Sequence, residues 1–301
     1  MLIAPTSRPA APPAPSRLVL LATLGLCLAA TARGQSDQRW RAMNQPVEPL
    51  RLVGPIHYVG ANDVASYLIA TPEGHILIDG GFEETAPMIR ANVEKLGFRL
   101  EDVEILLHSH AHFDHVGGLA RLKEWSGAEL WASAADAPRL AGGGEVDVPL
   151  LGEAARFPPV RPDRLYADGE TVKLGGVELV ARVTAGHTPG CTSWDTTVRE
   201  GESELRVVSI CSLSVLDGMR FGDDPTYPGI AADFERSFET LAAIPADVFL
   251  ASHASFFGLE RKRALVAAGN PNPFVDAEGY RAFVARARER FRRALEAEAE
   301  R

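Results

Sequence analysis

The chain has 301 residues, 46% of them hydrophobic and 24% charged, with a formal net charge of −9 and a pI near 5.4. That is enough apolar material to bury a full core as one large domain or as two intimately packed halves, and nothing beyond the ends has the composition of a disordered segment. The acidic balance, with Lys and Arg scattered rather than clustered, excludes a nucleic-acid partner, which needs a basic face to neutralise phosphates.

At the N-terminus, Arg8 and Arg17 precede the apolar run Leu18 to Ala30, and Ala30-Thr31-Ala32 offers a small-residue cleavage site. Residues 1–32 therefore read as an export signal, leaving 33–301 as a single mature domain. Only Arg8 and Arg17 of the 31 basic residues lie in this leader, and none of the 40 acidic ones, so the mature charge is −11. The apolar run is too short for a permanent membrane anchor. A buried N-terminal helix is the alternative, against which the Pro-rich, acid-free leader counts. A lipid anchor at Cys27 would need a small residue where Leu26 stands. The expectation is a soluble protein exported to the periplasm of a Gram-negative bacterium. Of the three cysteines, Cys27 leaves with the signal, while Cys191 and Cys211 form either a disulfide or two small buried side chains.

Further along, Ile76 to Asp79 and Glu104 to Leu107 are short apolar runs suited to buried strands. Between them Met88, Ile89, Val93 and Leu96 recur at helical spacing, and Gly97 supplies the stop. Leu119 and Leu122 mark a second helix. Ala141 to Phe157 breaks regularity at Gly142-Gly143-Gly144 and Pro149 and runs on to Pro158-Pro159, so it reads as a long loop, a lid rather than a mere connector. Strands follow at Val172 to Leu174, Val177 to Thr184, Thr192 to Thr197 and Leu205 to Ile210. A helix marked by Phe234, Phe238 and Leu241 then precedes strand Val248 to Leu250. A last helix near Gly279 to Ala297 places Tyr280, Val284, Ala287, Phe291 and Leu295 on one face, fit to cover a sheet. Strands followed by helices, twice over, predict an α/β (α+β) architecture of two packed sheets with helices outside.

The chemistry concentrates in the histidines. Of eight, His110, His112, His115, His187 and His253 fall at or beside strand ends, whereas His57, His75 and His108 do not fit that pattern. His110-Ala-His112-Phe-Asp114-His115 packs three imidazoles and a carboxylate into six residues. Residues two apart in extended chain share a side, so His110 and His112 can chelate one ion, while Asp114 and His115, past a turn, can face a second. Gly186-His187-Thr188-Pro189-Gly190 and Ser252-His253-Ala254 each present one further imidazole after a strand. Two zinc sites roughly 3.5–4 Å apart can share a bridging hydroxide.

Three segments carry a family resemblance: Ser109-His-Ala-His-Phe-Asp-His-Val-Gly-Gly118, Gly186-His-Thr-Pro-Gly-Cys-Thr-Ser-Trp194 and Phe249-Leu-Ala-Ser-His-Ala-Ser-Phe-Phe-Gly258, supported by Pro46 to Gly81 and the Asn272-Pro-Phe tail. They resemble the metallo-β-lactamase superfamily, and most the subclass B3 β-lactamases. The resemblance implies an αββα sandwich with two mixed sheets and two Zn2+ per chain in a cleft at the sheet edges. It implies His110, His112 and His187 around the first zinc, and Asp114, His115 and His253 around the second. Asp79 matches an acid that supports the ligands from behind. Many dinuclear relatives, lactonases and glyoxalase-type thioesterases among them, place a metal-bridging aspartate after the strand that ends at Ile210, but this chain reads Cys211-Ser-Leu-Ser214, and Asp217 comes several residues too late. In similar β-lactamases the serines matching Ser212 and Ser214 help hold the substrate carboxylate; as plain residues they are equally hydroxyls capping a turn. Cys211 as a metal ligand is disfavoured because His115 already completes the second set.

The expected activity is hydrolysis of the β-lactam amide in penicillins, cephalosporins and carbapenems by a metal-bound hydroxide that Asp114 orients, conferring resistance. Partners are then small-molecule β-lactams, with no nucleic acid, no permanent membrane anchor and a monomeric chain. A lactonase or thioesterase on the same fold is the first alternative, and a non-catalytic zinc-binding protein the second.

Overall fold

The computed structural model describes residues 38–300. One mixed sheet holds β1 (Leu50–Val53), β2 (Ile56–Tyr58), β3 (Tyr67–Thr71), β4 (Gly74–Ile78), β5 (Val103–Leu107), β6 (Glu129–Ser133) and β7 (Arg164–Tyr166), side by side in chain order. The other holds β8 (Thr171–Leu174), β9 (Val177–Val183), β10 (Thr192–Glu200), β11 (Ser203–Ile210) and β12 (Val248–Ala251), ordered β12-β11-β10-β9-β8. Pairing runs antiparallel from β1 to β4 and parallel from β4 to β7. In the second sheet it is antiparallel from β8 to β11, with β12 added parallel.

Side-chain alternation explains the layering. In β4, Ile76 and Ile78 join the core that holds both sheets, whereas Leu77 joins a separate core under the helices Ala86–Lys95 and Leu119–Ser126. Tyr67 and Ile69 against Leu68 repeat the pattern in β3. The second sheet is covered on its outer side by the helices Ile230–Ala242 and Ala277–Ala299, where Phe234, Phe238 and Phe291 pack ring on ring and Phe249 of β12 meets Tyr280 and Phe283. Helices thus lie on both outer faces of two mixed sheets, which is the αββα sandwich.

Every strand and helix read from periodicity is present, with ends shifted by a few residues. On the last helix, Tyr280, Val284, Ala287 and Phe291 are buried and Leu295 packs at the edge of the same core. Strands β1, β2, β3, β6 and β7 were not visible as patterns: they are three to five residues long and several are buried on both faces, which erases alternation.

The expectation of a long loop over Ala141–Phe157 is corrected. The stretch winds through short helical turns, Ala137–Ala141, Glu145–Asp147, Val148–Leu151 and Glu153–Ala155. It closes on itself where the Phe157 N–H donates to the Gly143 carbonyl (3.1 Å) and the Val160 N–H to that of Leu140 (3.0 Å). A side chain at Gly144 would meet the Ala155 carbonyl at 2.2 Å, and its φ is +75°, so the glycines that look like breakers are what let the turns fold back. Leu150 of this strap packs into the main core and lies against Gly218.

Cys191, just before β10, and Cys211, just after β11, form a disulfide with Cα atoms 5.9 Å apart. The bridge closes a loop of 20 residues, so a Cys191→Ser/Cys211→Ser variant should lose about 3 kcal/mol, roughly 10 °C in Tm. Scanning calorimetry checks this, and an unshifted transition would show that the bridge adds nothing. From Met43 onward the chain forms one compact unit. The export signal read in residues 1–32, with Cys27, lies outside the described residues. Among the described residues no helix is long and apolar enough to cross a membrane.

Candidate metal centre

Three connections at one end of the sandwich bring the histidines together. After β5 the chain carries His110 and then His112, which is extended, and turns into the short helix Phe113–Val116, of which His112 is the residue before the first turn. The rings of His110 and His112 are 4.8 Å apart, and His187 from the β9–β10 turn stands 4.7 Å from each. His115, from the helix, meets His253, from the end of β12, at 4.9 Å.

The nitrogens, more than the rings, show what the cluster is for. His110 Nδ1 contacts Ser109 Oγ (3.1 Å), His115 Nδ1 contacts Asp79 Oδ2 (3.2 Å), His187 Nδ1 contacts the Ser214 carbonyl (2.8 Å) and His253 Nδ1 contacts Asp63 Oδ2 (3.2 Å). Each outer partner is an acceptor for an Nδ1–H and so turns Nε2 inward, the arrangement that fixes metal-ligating imidazoles. His112 is reversed, with Nδ1 facing His187 Nε2 at 3.1 Å.

Spacing supports the same interpretation. Ligand atoms 2.0–2.1 Å from a tetrahedral zinc lie about 3.3–3.4 Å from one another. His115 Nε2 stands 3.3 Å from His253 Nε2 and 3.4 Å from Asp114 Oδ2, and the latter two are 3.7 Å apart. Donor atoms of His110, His112 and His187 likewise all fall within 4.8 Å of one another. The two sets abut, since His110 and His115 rings are 4.2 Å apart. Donor atoms of His110, Cys191 and Cys211 also fall within 4.8 Å of one another, but the two sulfurs are bonded to each other and are no thiolate ligands. The residues present fit two metal ions.

Electrostatics separates the two sets. Burial, reinforced by the neighbouring rings, pushes His110 and His112 well below the ordinary imidazole pKa, and burial takes His187 down to about 4 against the pull of the Ser214 carbonyl. These three are neutral at pH 7, as ligands must be. Burial works against charge on His115 too, but the carboxylates of Asp114 and Asp79 outweigh it and raise this ring to about 10. Burial would raise Asp114, yet His115 and His253 hold it far below the usual carboxylate range. A field that keeps a proton on His115 in the metal-free chain is the field a divalent cation would meet there.

Behind the donors stand carboxylates of which sequence reasoning found only one. Asp79, fully buried at φ +63°, accepts the Ser109 N–H (2.6 Å) and hydroxyl (2.7 Å) while facing His115, so it steadies His115 directly and His110 through Ser109. Asp63 was missed. It holds His253 and also accepts the Ser255 N–H at 2.9 Å. Burial would raise its pKa, but the His253 ring and Ser255 bring it down to about 2. Asp136 was missed as well. Its Oδ2 accepts the Ala111 N–H (3.0 Å) and the Thr188 hydroxyl (2.9 Å), and its Oδ1 accepts the Gly190 N–H (3.0 Å), so one carboxylate clamps the His110–His112 loop to the His187 loop. A Cβ at Gly190 would come within 2.6 Å of that carboxylate, which accounts for the glycine. The sole signal for Asp136 was Asp-Ala-Pro, which reads as a helix start; its side chain makes no cap bond and is spent on the loops instead. No pattern marked Asp63.

The remaining candidates divide. Ser212 is buried and its Oγ accepts the Ser214 N–H (3.3 Å), while the backbone of Ser214 orients His187. Asp217 is exposed. His57 and His75 sit edge-on to Phe98, away from the cluster, and His108 is buried without a hydrogen-bond partner for either nitrogen.

A family model described as the metallo-beta-lactamase superfamily matches residues 59–253, about two thirds of the chain and every donor named above. The chain belongs to that superfamily. Metallo-beta-lactamase relatives are metal-dependent, typically with zinc, in keeping with the donor geometry. Native FEZ-1 metallo-beta-lactamase from Legionella gormanii is 38% identical with a TM-score of 0.83, covering 85% of this chain and 98% of that one. BJP-1, a subclass B3 metallo-beta-lactamase of Bradyrhizobium japonicum, is 37% identical with a TM-score of 0.81, covering 86% and 97%. Among curated relatives, a hydroxyacylglutathione hydrolase from Jannaschia sp. is 28% identical over 226 residues, 65% of this chain and 75% of that protein. Other hydrolases so named match over about half of their length.

Proposed function

We propose that this metallo-hydrolase is a zinc-dependent β-lactamase of subclass B3 type, opening the lactam amide of penicillins, cephalosporins and carbapenems. The observation that carries the proposal is the turn after β11. Where a dinuclear thioesterase or lactonase of this fold needs an aspartate shared by both metals, this chain has Cys211, committed to a disulfide, and then Ser212. The second set therefore rests on Asp114, His115 and His253, and the first on His110, His112 and His187.

When bound, two zinc ions supply Lewis acidity and a water of lowered pKa at neutral pH. The chain's own residues do the positioning. Asp79, Asp63, Ser109 and the Ser214 carbonyl hold each Nδ1–H so that the donor lone pairs converge. The Asp114 carboxylate, ionised and facing the gap between His115 and His253, accepts a hydrogen bond from the attacking water and orients it. Of the two serines expected to hold the substrate carboxylate, Ser214, which lines the adjoining groove, would receive it, while Ser212 is buried and its hydroxyl accepts the Ser214 N–H. Export to an oxidising compartment, with residues 1–32 as the signal, is the setting that favours the Cys191–Cys211 bridge. Resistance to β-lactams would follow from that location.

The test is turnover of nitrocefin and imipenem beside a lactoylglutathione thioester, with zinc and after chelation. β-Lactam hydrolysis that disappears on chelation and returns with zinc, with thioester cleavage at least ~100-fold slower in kcat/KM, is expected. Efficient cleavage of the thioester alone would instead assign the hydroxyacylglutathione hydrolase activity of the curated relatives. A smaller effect is expected at Asp63: its alanine variant should bind the second zinc about 10–100-fold more weakly, as read by competition with a chromophoric chelator. An unchanged affinity would reduce Asp63 to a loop support.

A further inference from the structure

A groove of about 920 Å³ opens beside the metal centre, between the segment Ser214–Phe221 and the helix Ala277–Ala299. It starts where the metal ligands are positioned. Ser214 holds His187 through its carbonyl, and Phe256, which lines the groove, has its ring 5.0 Å from that of His253. Its walls include Leu216, Met219 and Phe283, so a small organic molecule with an apolar body fits there. Along one wall the helix contributes Arg286 and Arg290, both exposed.

These two arginines are one turn apart, so their side chains neighbour each other on the helix surface and repel. Among the described residues neither has an ion-pair or hydrogen-bond partner, whereas Arg288 and Arg293 of the same helix are paired with Glu235 (2.8 Å) and Glu289 (3.1 Å). The acids that share the groove, Asp217 and Glu298, form no ion pair with them. Glu298 accepts from the N–H groups of Phe221 and Gly222, Asp217 is exposed and without an ion pair among the described residues, and Arg220, a third lining cation, is paired with Asp224 at 2.9 Å. Two guanidiniums without an ion-pair partner that line one groove, with forked donors that match a carboxylate, form a receptor for an anion.

The geometry assigns Arg286 and Arg290 as a subsite for an ionised carboxylate carried on the part of the substrate that projects away from the reacting bond. In turnover this rests on the hydrolase function proposed above; as a binding site it does not. Two sources share the chemistry, a carboxylate on a β-lactam side chain and the carboxylates of a glutathionyl group, and two arms of one experiment separate them. The first compares carbenicillin with benzylpenicillin, which lacks the side-chain carboxylate. In Arg286→Ala/Arg290→Ala the KM of carbenicillin should rise roughly fivefold relative to that of benzylpenicillin, the effect of losing one exposed ion pair. The double lysine variant should retain most of the difference, about 0.5 M salt should abolish it in the wild type, and Arg281→Ala, outside the groove, serves as the control. The second arm titrates zinc-loaded protein with S-methylglutathione in a calorimeter and needs no catalysis, with the same fivefold weakening expected. Weakening in either arm supports the subsite and identifies the source. Unchanged constants for both probes overturn it, while a chain that hydrolyses neither penicillin but binds the peptide through the arginines loses the β-lactamase function and keeps the subsite.

Discussion

Asp114→Ala should lower β-lactam turnover by about a thousandfold or more, because it removes both the charge on the second metal set and the acceptor that orients the attacking water. Of the six donors, only Asp114 is anionic. Its Oδ2 stands 3.4 Å from His115 Nε2 and 3.7 Å from His253 Nε2, so truncation leaves two imidazoles facing each other with no carboxylate between them. Metal content after dialysis should fall from two zinc per chain toward one. Asp114→Asn separates the two roles, since it keeps the size and an acceptor oxygen while losing the charge. It should lose the second zinc nearly as completely. An Asp114→Ala protein that retained full activity and two zinc ions in chelator-treated buffer would remove this residue from the centre.

The second large effect is expected at a residue that touches no metal. Asp136→Ala strips the partners from the Ala111 N–H, the Gly190 N–H and the Thr188 hydroxyl, all in the interior. Buried donors left unpaired cost about 1–3 kcal/mol each, partly recovered where water enters, so a loss of about 3–5 kcal/mol is expected in urea unfolding of the metal-free protein. The same change frees the His187 loop from the His110–His112 loop, so zinc at the first set should bind at least tenfold more weakly. Asp136→Asn keeps one acceptor and should lie between. A wild-type urea midpoint for Asp136→Ala would show that the two loops hold their places without the clamp.

Why one carboxylate was visible in the sequence and two were not is a matter of where their partners lie. Asp79 ends an apolar strand run, Ile76 to Ile78, and stands before Gly80-Gly81, so local pattern and family resemblance both single it out. Asp63 and Asp136 act on residues 190 and 25 to 54 positions away. Nothing in their own neighbourhoods departs from an ordinary turn or helix start. The Ala141–Phe157 strap was misread for a related reason: glycine frequency records that unusual φ values are needed, not whether the chain uses them to loop outward or to fold back on Phe157.

By itself the sequence determined the alternation of strands and helices, the layered architecture and the donor types, because hydrophobic period and the dense His-x-His-x-Asp-His cluster are local properties of the chain. Tertiary structure alone decided that Cys191 and Cys211 pair, that the Nδ1–H groups of four histidines are held so Nε2 faces inward, that Asp63 and Asp136 fasten the ligand loops, and that Arg286 and Arg290 face the groove beside them. Those outcomes depend on which distant segments meet at one end of the two sheets, and no local period encodes that meeting.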